Sequence, residues 1–376
     1  MLDREKPHIH VCLVSEQPIP NLTTILQFKP DEVILLKTKE MEEKASFLEN
    51  VIKKNFRVRS ELIEAYNIDN VITVSDSIIG QCADCRVTLN ITGGTKIGTL
   101  GTFQAFYSAK KDIYYVDTKD NKILKLLSPS KESIDINVKI SIEDYLKVYG
   151  FEIESYVKDD NYIFVRKDLT DHLAIIASQN EWIISKINEQ LHNIKENPLP
   201  KDLNVHDKKL VVYLDKLPGI AKIDDKKIRV SDPEALRYLK GGWFEEYVYM
   251  KAKSVNPDEI KLNVVGRWIT KGKHKPKNEF DVILSKGNRL FYISCKTANP
   301  DRRNKDTDEG VGRQYLYELD SLSDRALGLF GKRMLASARK IDDQYVKERA
   351  RILNIELIDG KNISTLKENL RQWLSR

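Results

Sequence analysis

An acidic residue and a lysine occur together on a predicted pair of strands in the last third of the chain. Asp281 lies within the apolar run Asn278–Leu284, a turn follows at Lys286–Asn288, and the returning run, Leu290–Thr297, contains Lys296. Alternation along a strand puts Ser294 and Lys296 on the same face. Charges placed among such apolar residues are costly unless they are paired or bind a metal ion.

Metal-assisted hydrolysis of a phosphodiester is the chemistry that uses such residues. Two further carboxylates, Glu245 and Glu246, lie on a predicted helix that can pack beside the strand pair. Carboxylates hold a hard divalent cation, which lowers the pKa of a bound water and offsets charge on the phosphate. A nearby lysine orients that water or stabilises the transition state. The alternative is a hairpin with a surface salt bridge, and the spacing leaves both interpretations open.

A glycine turn near the N-terminus is suited to binding phosphate. Thr92-Gly93-Gly94-Thr95-Lys96 follows the apolar run Arg86–Ile91 and begins a helix. Glycines let the backbone approach a ligand closely, and the helix N-terminus and Lys96 add positive charge. The spacing matches neither a Walker A loop nor G-x-G-x-x-G, so neither ATP nor NAD is indicated. A plain turn between a strand and a helix is the alternative.

The elements that must position this turn form a predicted parallel α/β sheet. Apolar strands at residues 8–14, 32–36, 86–91 and 112–116 alternate with helical patterns. Ligands of such sheets bind outside the carboxyl ends of the strands. The polar residues after the first two strands are therefore expected beside the glycine turn. They are Ser15, Gln17, Asn21, Thr38 and Lys39. Their presence favours a polyphosphate or oligonucleotide ligand. His8 and His10 alternate along the first strand and are predicted to face solvent or a partner domain.

The last third of the chain is predicted to form a second, distinct α/β unit. A helix begins at Ser231–Glu234, three strands follow it, and a long helical pattern covers Gly312–Leu319 and Ser323–Lys340. A length of 376 residues also favours at least two domains. The predicted domains are residues 1–140, a connecting module over residues 141–230, and residues 231–376.

Composition limits the classes of protein to which the chain can belong. With 62 Lys and Arg against 56 Asp and Glu, the net charge of +6 permits nucleic acid as a partner without requiring it. Two basic runs, at residues 271–277 and 302–305, are predicted to contact a phosphate backbone. No apolar stretch approaches the roughly 20 residues that cross a bilayer, so no membrane is expected. A charged N-terminus and only four cysteines favour the cytoplasm.

These motifs, in this order, resemble a family of CRISPR ancillary nucleases that join a CARF sensor domain to a PD-(D/E)xK nuclease domain. The N-terminal resemblance rests on segments Leu13–Asn21, Thr38–Met41 and Asn90–Lys96, and the C-terminal one on Gly241–Tyr249, Asn278–Ile283 and Ser294–Lys296. The resemblance therefore spans nearly the whole chain. It implies a Rossmann-like CARF domain with a parallel sheet, followed by a restriction-endonuclease-like α/β domain.

The resemblance also implies a function. The family forms homodimers that bind cyclic tetra-adenylate, the second messenger of type III CRISPR complexes. Binding activates a nuclease that uses Mn²⁺ or Mg²⁺ and degrades DNA, RNA or both with little sequence preference. We expect the same of this chain, with residues 1–140 as the cyclic oligoadenylate sensor and residues 231–376 as the nuclease.

The residues that the resemblance assigns are the ones singled out above. The messenger ring is expected to contact Ser15, Gln17, Pro18, Asn21, Thr38, Lys39, Thr92, Gly93, Gly94, Thr95 and Lys96. Asp281 corresponds to the metal-binding aspartate and Lys296 to the motif lysine. Glu245 corresponds to the helix glutamate, with Glu246 as the fallback. Gln314, at the start of the next helix, is either a substrate or water orienter or an ordinary exposed residue.

One position departs from the family pattern. Ser294 stands where the (D/E)xK element has a carboxylate, and a hydroxyl replaces a carboxylate ligand poorly. Either Glu279 or a helix glutamate supplies the missing charge, or the Cys295 backbone carbonyl and water complete the metal shell. The alternative function is a messenger-responsive sensor that binds nucleic acid with an inactive nuclease domain.

Overall fold

The computed structural model describes residues 6–127, 132–192, 199–270, 272, 274–302 and 310–375. The chain forms two compact units. The first comprises Met1–Ile153 together with two short later segments, Arg267–Pro276 and Gly328–Phe330. The second comprises Glu154–Gly266, Lys277–Leu327 and Gly331–Arg376. Each unit contains helices and a sheet.

The first unit contains the predicted parallel sheet. Its strands are β1 (His8–Leu13), β2 (Glu32–Lys37), β3 (Arg57–Leu62), β4 (Arg86–Asn90), β5 (Asp112–Asp117), β6 (Lys122–Lys125) and β7 (Ser133–Asp135), in the order β3-β2-β1-β4-β5-β6-β7. The first five strands of that order pair in parallel and the last two pair antiparallel. Its helices are α1 (Ile19–Phe28), α2 (Glu42–Ile52), α3 (Ile68–Gln81), α4 (Lys96–Ser108) and α5 (Ile142–Val148). The predicted Rossmann-like class is confirmed.

A six-stranded sheet of order β16-β15-β14-β13-β12-β8 carries the second predicted site. Its strands are β8 (Phe151–Ser155), β12 (Glu259–Trp268), β13 (Lys277–Lys286), β14 (Arg289–Lys296), β15 (Lys332–Ser337) and β16 (Ile355–Asp359). A smaller antiparallel sheet, of order β10-β11-β9, consists of β9 (Lys201–Asn204), β10 (Ile220–Asp224) and β11 (Lys227–Val230).

The helices of the second unit contribute a continuous apolar core. They are α6 (Asn161–Val165), α7 (Lys167–Gln179), α8 (Glu181–His192), α9 (Lys208–Leu214), α10 (Pro233–Arg237), α11 (Trp243–Lys253), α12 (Val311–Ala326), α13 (Gln344–Ile352) and α14 (Leu366–Ser375). A π turn, Tyr238–Gly242, joins α10 to α11, and a 3₁₀ turn, Gly360–Thr365, precedes α14. Buried residues from Ile163 to Val230 share one core with those from Ala235 to Leu374. The predicted domain limits at residues 140 and 230 remain predictions.

Two expectations about local structure are wrong. The helical stretch predicted over Gly312–Leu319 and Ser323–Lys340 ends at Ala326, and Lys332–Ser337 forms β15 instead. That segment pairs in parallel with both β14 and β16 and is buried at its centre, so long-range pairing outweighs its helical pattern.

His10 does not face solvent but is fully buried in the first unit. Its Nδ1 lies 2.7 Å from Thr88 Oγ1 and its Nε2 lies 2.9 Å from Thr24 Oγ1. Thr24 is on α1, so this helix covers the face of β1 that the alternation suggested was exposed. Burial, with smaller contributions from His8 and Arg86, lowers the pKa of His10 to about 3.

Within the described parts of the chain, no helix combines the length and apolar character that crossing a membrane requires.

Candidate functional site

The first candidate site is a pocket of about 550 Å³ at the carboxyl edge of the parallel sheet. The segments after β1, β2, β3 and β4 all contribute to it, as expected for a sheet of this class. The predicted ligand residues that line it are Ser15, Gln17, Thr38, Thr92, Gly93, Gly94 and Thr95. The structure therefore brings together polar groups from three separate parts of the sequence.

Four predicted ligand residues lie outside the lining formed by the described residues: Pro18, Asn21, Lys39 and Lys96. Asn21 is 1% exposed, and its Nδ2 donates to the Leu13 carbonyl oxygen at 2.7 Å. Its Oδ1 accepts a hydrogen bond of 2.8 Å from Asn90 Nδ2. Asn21 thus ties α1 to the ends of β1 and β4. Lys39 and Lys96 are exposed, and Lys96 is the first residue of α4.

The glycine turn fits tightly against the end of β1. Gly94 has a φ of +90°, which favours glycine. A Cβ on Gly93 would lie 2.5 Å from the Leu13 carbonyl oxygen and 2.9 Å from Ser15 Oγ. Thr95 caps α4, because its Oγ1 accepts from the Gly98 N–H at 3.0 Å. The helix N-terminus therefore begins at the wall of the pocket, where its partial positive charge favours an anion.

The sequence analysis missed the part of the pocket that follows β3. Ile63, Ala65 and Tyr66 line it there, and Glu40 and Met41 line it after β2. Strand β3 alternates charged residues and is only partly buried, so it lacks the apolar run that identified the other strands. Tyr66 is 84% exposed. The sequence signal for this part of the pocket was an aromatic residue, Tyr66, just after the end of β3.

Gln17 connects the pocket to a segment that lies far away in the sequence. Its Oε1 accepts a hydrogen bond of 3.0 Å from the Tyr149 hydroxyl and one of 2.9 Å from the Leu329 N–H. Leu329 belongs to the short segment Gly328–Phe330 of the first unit, which in the chain lies between α12 and β15. Gln17 therefore holds a segment of the first unit that precedes β15 in the chain.

The second candidate site, which we call the carboxylate site, contains Glu245, Asp281 and Lys296. The regular pairing of β13 with β14 ends at Val282 and Ile293. Beyond it, the Cys295 N–H donates to Asp281 Oδ2 at 2.7 Å, and Ser294 Oγ donates to the same oxygen at 3.3 Å. Burial raises the pKa of Asp281, although the charge of Lys296 and the Cys295 N–H oppose the shift.

The two glutamates of α11 have different surroundings. Burial first, and then the charge of Asp281, raises the pKa of Glu245 to about 7, while a hydrogen bond from the Asn263 side chain opposes the shift. Glu246 is buried and forms an ion pair with Arg166, whose Nε donates to it at 2.8 Å. The structure therefore places Glu245 beside Asp281, whereas the fallback residue Glu246 is held by Arg166.

Lys296 lies between opposite charges and an aromatic ring. Its Nζ is 3.8 Å from Glu318 Oε2 and 5.0 Å from the centre of the Tyr315 ring. Burial alone would lower the pKa of Lys296, but Asp281 and then Glu318 outweigh it and raise the pKa. The sequence analysis missed Tyr315 and Glu318, which are three residues apart on α12. Gln314 precedes them and is half-buried, and its role remains a prediction.

A divalent cation fits the donor atoms of the carboxylate site. Glu245 and Asp281 supply carboxylate oxygens in a buried environment, where a cation would offset their mutual repulsion. The described residues include no group of three His, Cys, Asp or Glu side chains suited to a metal ion. Burial raises the pKa of the Cys295 thiol, so this residue would offer its carbonyl oxygen rather than a thiolate. Such a cation would keep several water ligands, as Mg²⁺ usually does.

A small pocket of about 270 Å³ begins one residue after Lys296. Asn188, Leu191, Lys240, Thr297 and Ala298 line it. Asn188 Nδ2 donates to the Thr297 carbonyl oxygen at 2.8 Å, and Thr297 Oγ1 donates to the Lys240 carbonyl oxygen at 3.3 Å. Parts of the basic runs that were predicted to contact phosphate, Lys271, Lys273 and Arg303–Lys305, lie outside the described residues.

Comparison with known proteins identifies both units. A family model for the Card1 CARF domain matches residues 9–145, and one for the Card1-like endonuclease domain matches residues 232–376. Together the matches span about three quarters of the chain. A CARF domain followed by an endonuclease domain defines a CRISPR-associated ancillary nuclease. The chain therefore combines a Card1-type CARF domain with a Card1-like endonuclease domain, and the predicted resemblance to CRISPR ancillary nucleases is confirmed.

Two solved structures share the fold over nearly the whole chain. Can2 from Sulfobacillus thermosulfidooxidans, solved in complex with cyclic tetra-adenylate, is 24% identical with a TM-score of 0.80, covering 98% of this chain and 99% of Can2. Protein VC1899 from Vibrio cholerae is 22% identical with a TM-score of 0.83, covering 98% of each chain. No match was found among curated proteins.

Proposed function

We propose that this protein is a nuclease that cyclic tetra-adenylate activates and that hydrolyses the phosphodiesters of DNA, RNA or both in type III CRISPR defence, in the cytoplasm. The observation that carries the proposal is the grouping of Glu245, Asp281 and Lys296 within a Card1-like endonuclease domain. The bound messenger of the structurally similar Can2 supports the choice of activator.

Glu245 and Asp281 would hold the cation in the proposed mechanism, with the Cys295 carbonyl oxygen as a further ligand. Bound Mn²⁺ or Mg²⁺ would supply a water of lowered pKa and stabilise charge on the phosphate. The Cys295 N–H and Ser294 Oγ fix the Asp281 carboxylate in one orientation. Lys296, whose raised pKa keeps it protonated, would bind a phosphate oxygen as negative charge develops there.

The messenger would bind in the pocket of the first unit. Hydroxyls of Ser15, Thr38 and Thr92 and the backbone of the glycine turn would contact its phosphates. Tyr66 at the rim presents an exposed ring to which an adenine can stack. Four other predicted residues would shape or charge the surroundings of the cyclic messenger rather than line the pocket. They are Pro18, Asn21, Lys39 and Lys96.

A homodimer is part of the proposal, and α4 supports it. One side of this helix is buried through Gly98, Gly101 and Ala105. Leu100 and Tyr107 nevertheless remain 56% and 57% exposed in the single chain. Because α4 begins at the pocket, a second copy on this apolar face would bring two pockets near one another around a symmetric ring.

The second candidate function is a sensor that binds nucleic acid without cutting it. Ser294 in place of a motif carboxylate favours this alternative, because the motif position itself then adds no negative charge to Glu245, Asp281 and Glu279, whose charge raises the pKa of the other two. The two functions differ in whether the bound nucleic acid is cleaved.

The test is incubation with plasmid DNA and single-stranded RNA, with Mn²⁺ or Mg²⁺, and with or without cyclic tetra-adenylate. We expect cleavage of at least one substrate that requires both cation and messenger. Asp281→Asn should abolish cleavage while messenger binding persists, whereas the control Asp324→Asn, at an exposed residue of α12, should cleave normally. Binding of nucleic acid without cleavage in every condition would favour the sensor instead.

A further inference from the structure

The carboxylate site needs an oxygen ligand that Ser294 does not provide. The Ser294 hydroxyl donates its hydrogen bond to Asp281 Oδ2, so it supports the aspartate. Beyond Glu245 and Asp281, and with the charge of Glu279 acting on both, a hard cation would still take further oxygen atoms from the protein or from water.

Asn263 has an unpartnered oxygen next to this site. It lies within β12, and its side chain forms a hydrogen bond with Glu245. Because the Glu245 carboxylate accepts, the amide nitrogen of Asn263 donates. Its Oδ1 is buried and has no hydrogen-bond partner among the residues that the structure describes. A buried oxygen without a partner costs free energy, so a ligand for it is expected.

The backbone at Asn263 is also unusual. Its φ is +52°, in the left-handed region, although the residue is inside a strand. Asparagine tolerates this conformation better than most residues, but it is uncommon. Leu262 and Val264 on either side are buried. The backbone therefore departs from regular strand geometry at the residue that contacts Glu245.

We infer that Asn263 is a cation ligand of the carboxylate site, supplying through Oδ1 the neutral oxygen that accompanies Glu245 and Asp281. Amide oxygens are ordinary ligands of hard divalent cations. Glu245 and Asp281 balance the charge of a divalent cation, and a neutral amide oxygen adds a ligand without adding further negative charge near Glu279, whose charge already raises the pKa of both residues. This inference rests on the proposed metal-dependent function, and it names a ligand that the PD-(D/E)xK pattern does not include.

The test measures Mn²⁺ binding to the full chain without nucleic acid, by electron paramagnetic resonance of free Mn²⁺. Asn263→Gly removes the oxygen while permitting the positive φ, and it should raise the Kd for Mn²⁺ about 10- to 100-fold. Asn256→Gly is the matched control, because Asn256 has a φ of +53° in an exposed turn after α11. It should bind Mn²⁺ like the wild type.

Asn263→Asp separates a ligand from a residue that merely holds Glu245. An ionised aspartate cannot donate a hydrogen bond to Glu245, yet it offers an oxygen to the cation. Asn263→Asp should therefore bind Mn²⁺ at least as tightly as the wild type, with an equal or lower Kd. A larger Kd for Mn²⁺ in Asn263→Asp than in the wild type, or an unchanged Kd in Asn263→Gly, would overturn the inference. If Glu245→Gln and Asp281→Asn also bind Mn²⁺ like the wild type, both the role of Asn263 and the proposed cation site are wrong. If those two variants lose binding, only the role of Asn263 is wrong.

Discussion

Lys296 brings positive charge to the paired carboxylates of this nuclease domain. Lys296 lies near Asp281, Glu318 and the Tyr315 ring, and its raised pKa keeps it charged at neutral pH. Its charge also opposes the rise in the pKa of Asp281 that burial causes. Lys296 therefore stabilises the ionised aspartate and remains available to a phosphate.

We predict that Lys296→Ala lowers the cleavage rate by about 10²- to 10³-fold, because a preorganised charge at the phosphate is lost. Lys296→Arg should retain part of the activity because it keeps the charge. The control is Lys286→Ala, at the far end of β13, where Nζ donates to the Asn256 carbonyl oxygen. Cleavage kinetics at saturating cation check this, and full activity in Lys296→Ala would exclude the assigned role.

Sequence reasoning reached these residues unevenly, for physical reasons. Asp281 and Lys296 stood out because charges in apolar strands are rare. Glu245 and Glu246 were indistinguishable, since adjacent helical residues differ only in the direction that packing gives them. Arg166, which pairs with Glu246, lies 80 residues away in the chain. Asn263 gave no signal, because its importance comes from a local backbone conformation and an unpartnered oxygen.

At the scale of elements, the turn from β4 to α4 fixes the pocket wall. We predict that Gly93→Ala destabilises the protein by about 1–3 kcal/mol, since the new Cβ would meet the Leu13 carbonyl oxygen at 2.5 Å. Affinity for cyclic tetra-adenylate should fall at least about tenfold as the Ser15 loop moves. Gly80→Ala is the matched control, because a Cβ in that part of α3 meets nothing within 4 Å.

Urea unfolding and calorimetric titration with the messenger measure the two effects. Gly80→Ala should stabilise the protein by about 0.5–1 kcal/mol and leave messenger affinity unchanged. Wild-type stability and affinity in Gly93→Ala would contradict the close packing of the turn against β1.

Strand β1 contains a group whose titration should weaken the first unit in acid. His10 has a pKa of about 3 when folded and about 6.5 when unfolded, so the unfolded chain binds more protons between these values. The stability that the neutral His10 contributes is fully present above pH 6.5 and is lost as the pH falls towards 3. From pH 7 to pH 5 we predict a loss of about 2 kcal/mol from this residue.

Urea unfolding at pH 7 and pH 5 checks this loss. His10→Gln should reduce the pH dependence by about that amount, whereas the same substitution at the exposed His206 should not. An equal pH dependence in the wild type and His10→Gln would mean that His10 is not held neutral by burial.

Elements with apolar strands were predictable, and those defined by long-range pairing were not. β1, β2, β4 and β5 have apolar runs that burial on both faces requires. β15 carries a helical pattern, and only its position between β14 and β16 makes it a strand. The pocket edge after β3 was missed for a related reason, because a strand with charged, partly buried residues resembles a loop.

At the scale of the whole molecule, a symmetric messenger implies a symmetric receptor. We predict that Leu100→Asp on α4 converts the proposed homodimer to a monomer and removes activation by cyclic tetra-adenylate, because a charge would replace an exposed apolar side chain of the proposed interface. Light scattering coupled to gel filtration gives the mass. The control Ile223→Asp, at a similarly exposed position on β10, should remain dimeric. A monomeric wild type that is fully active would contradict this arrangement.

The most direct test of the account is a crystal structure of the protein with cyclic tetra-adenylate and Mn²⁺, with anomalous data at the manganese edge. We predict the ring density against Ser15, Thr38 and the glycine turn, and a manganese peak within bonding distance of Glu245 and Asp281. A ring bound elsewhere, or Asp281 and Lys296 directed away from each other with no manganese between Asp281 and Glu245, would contradict it.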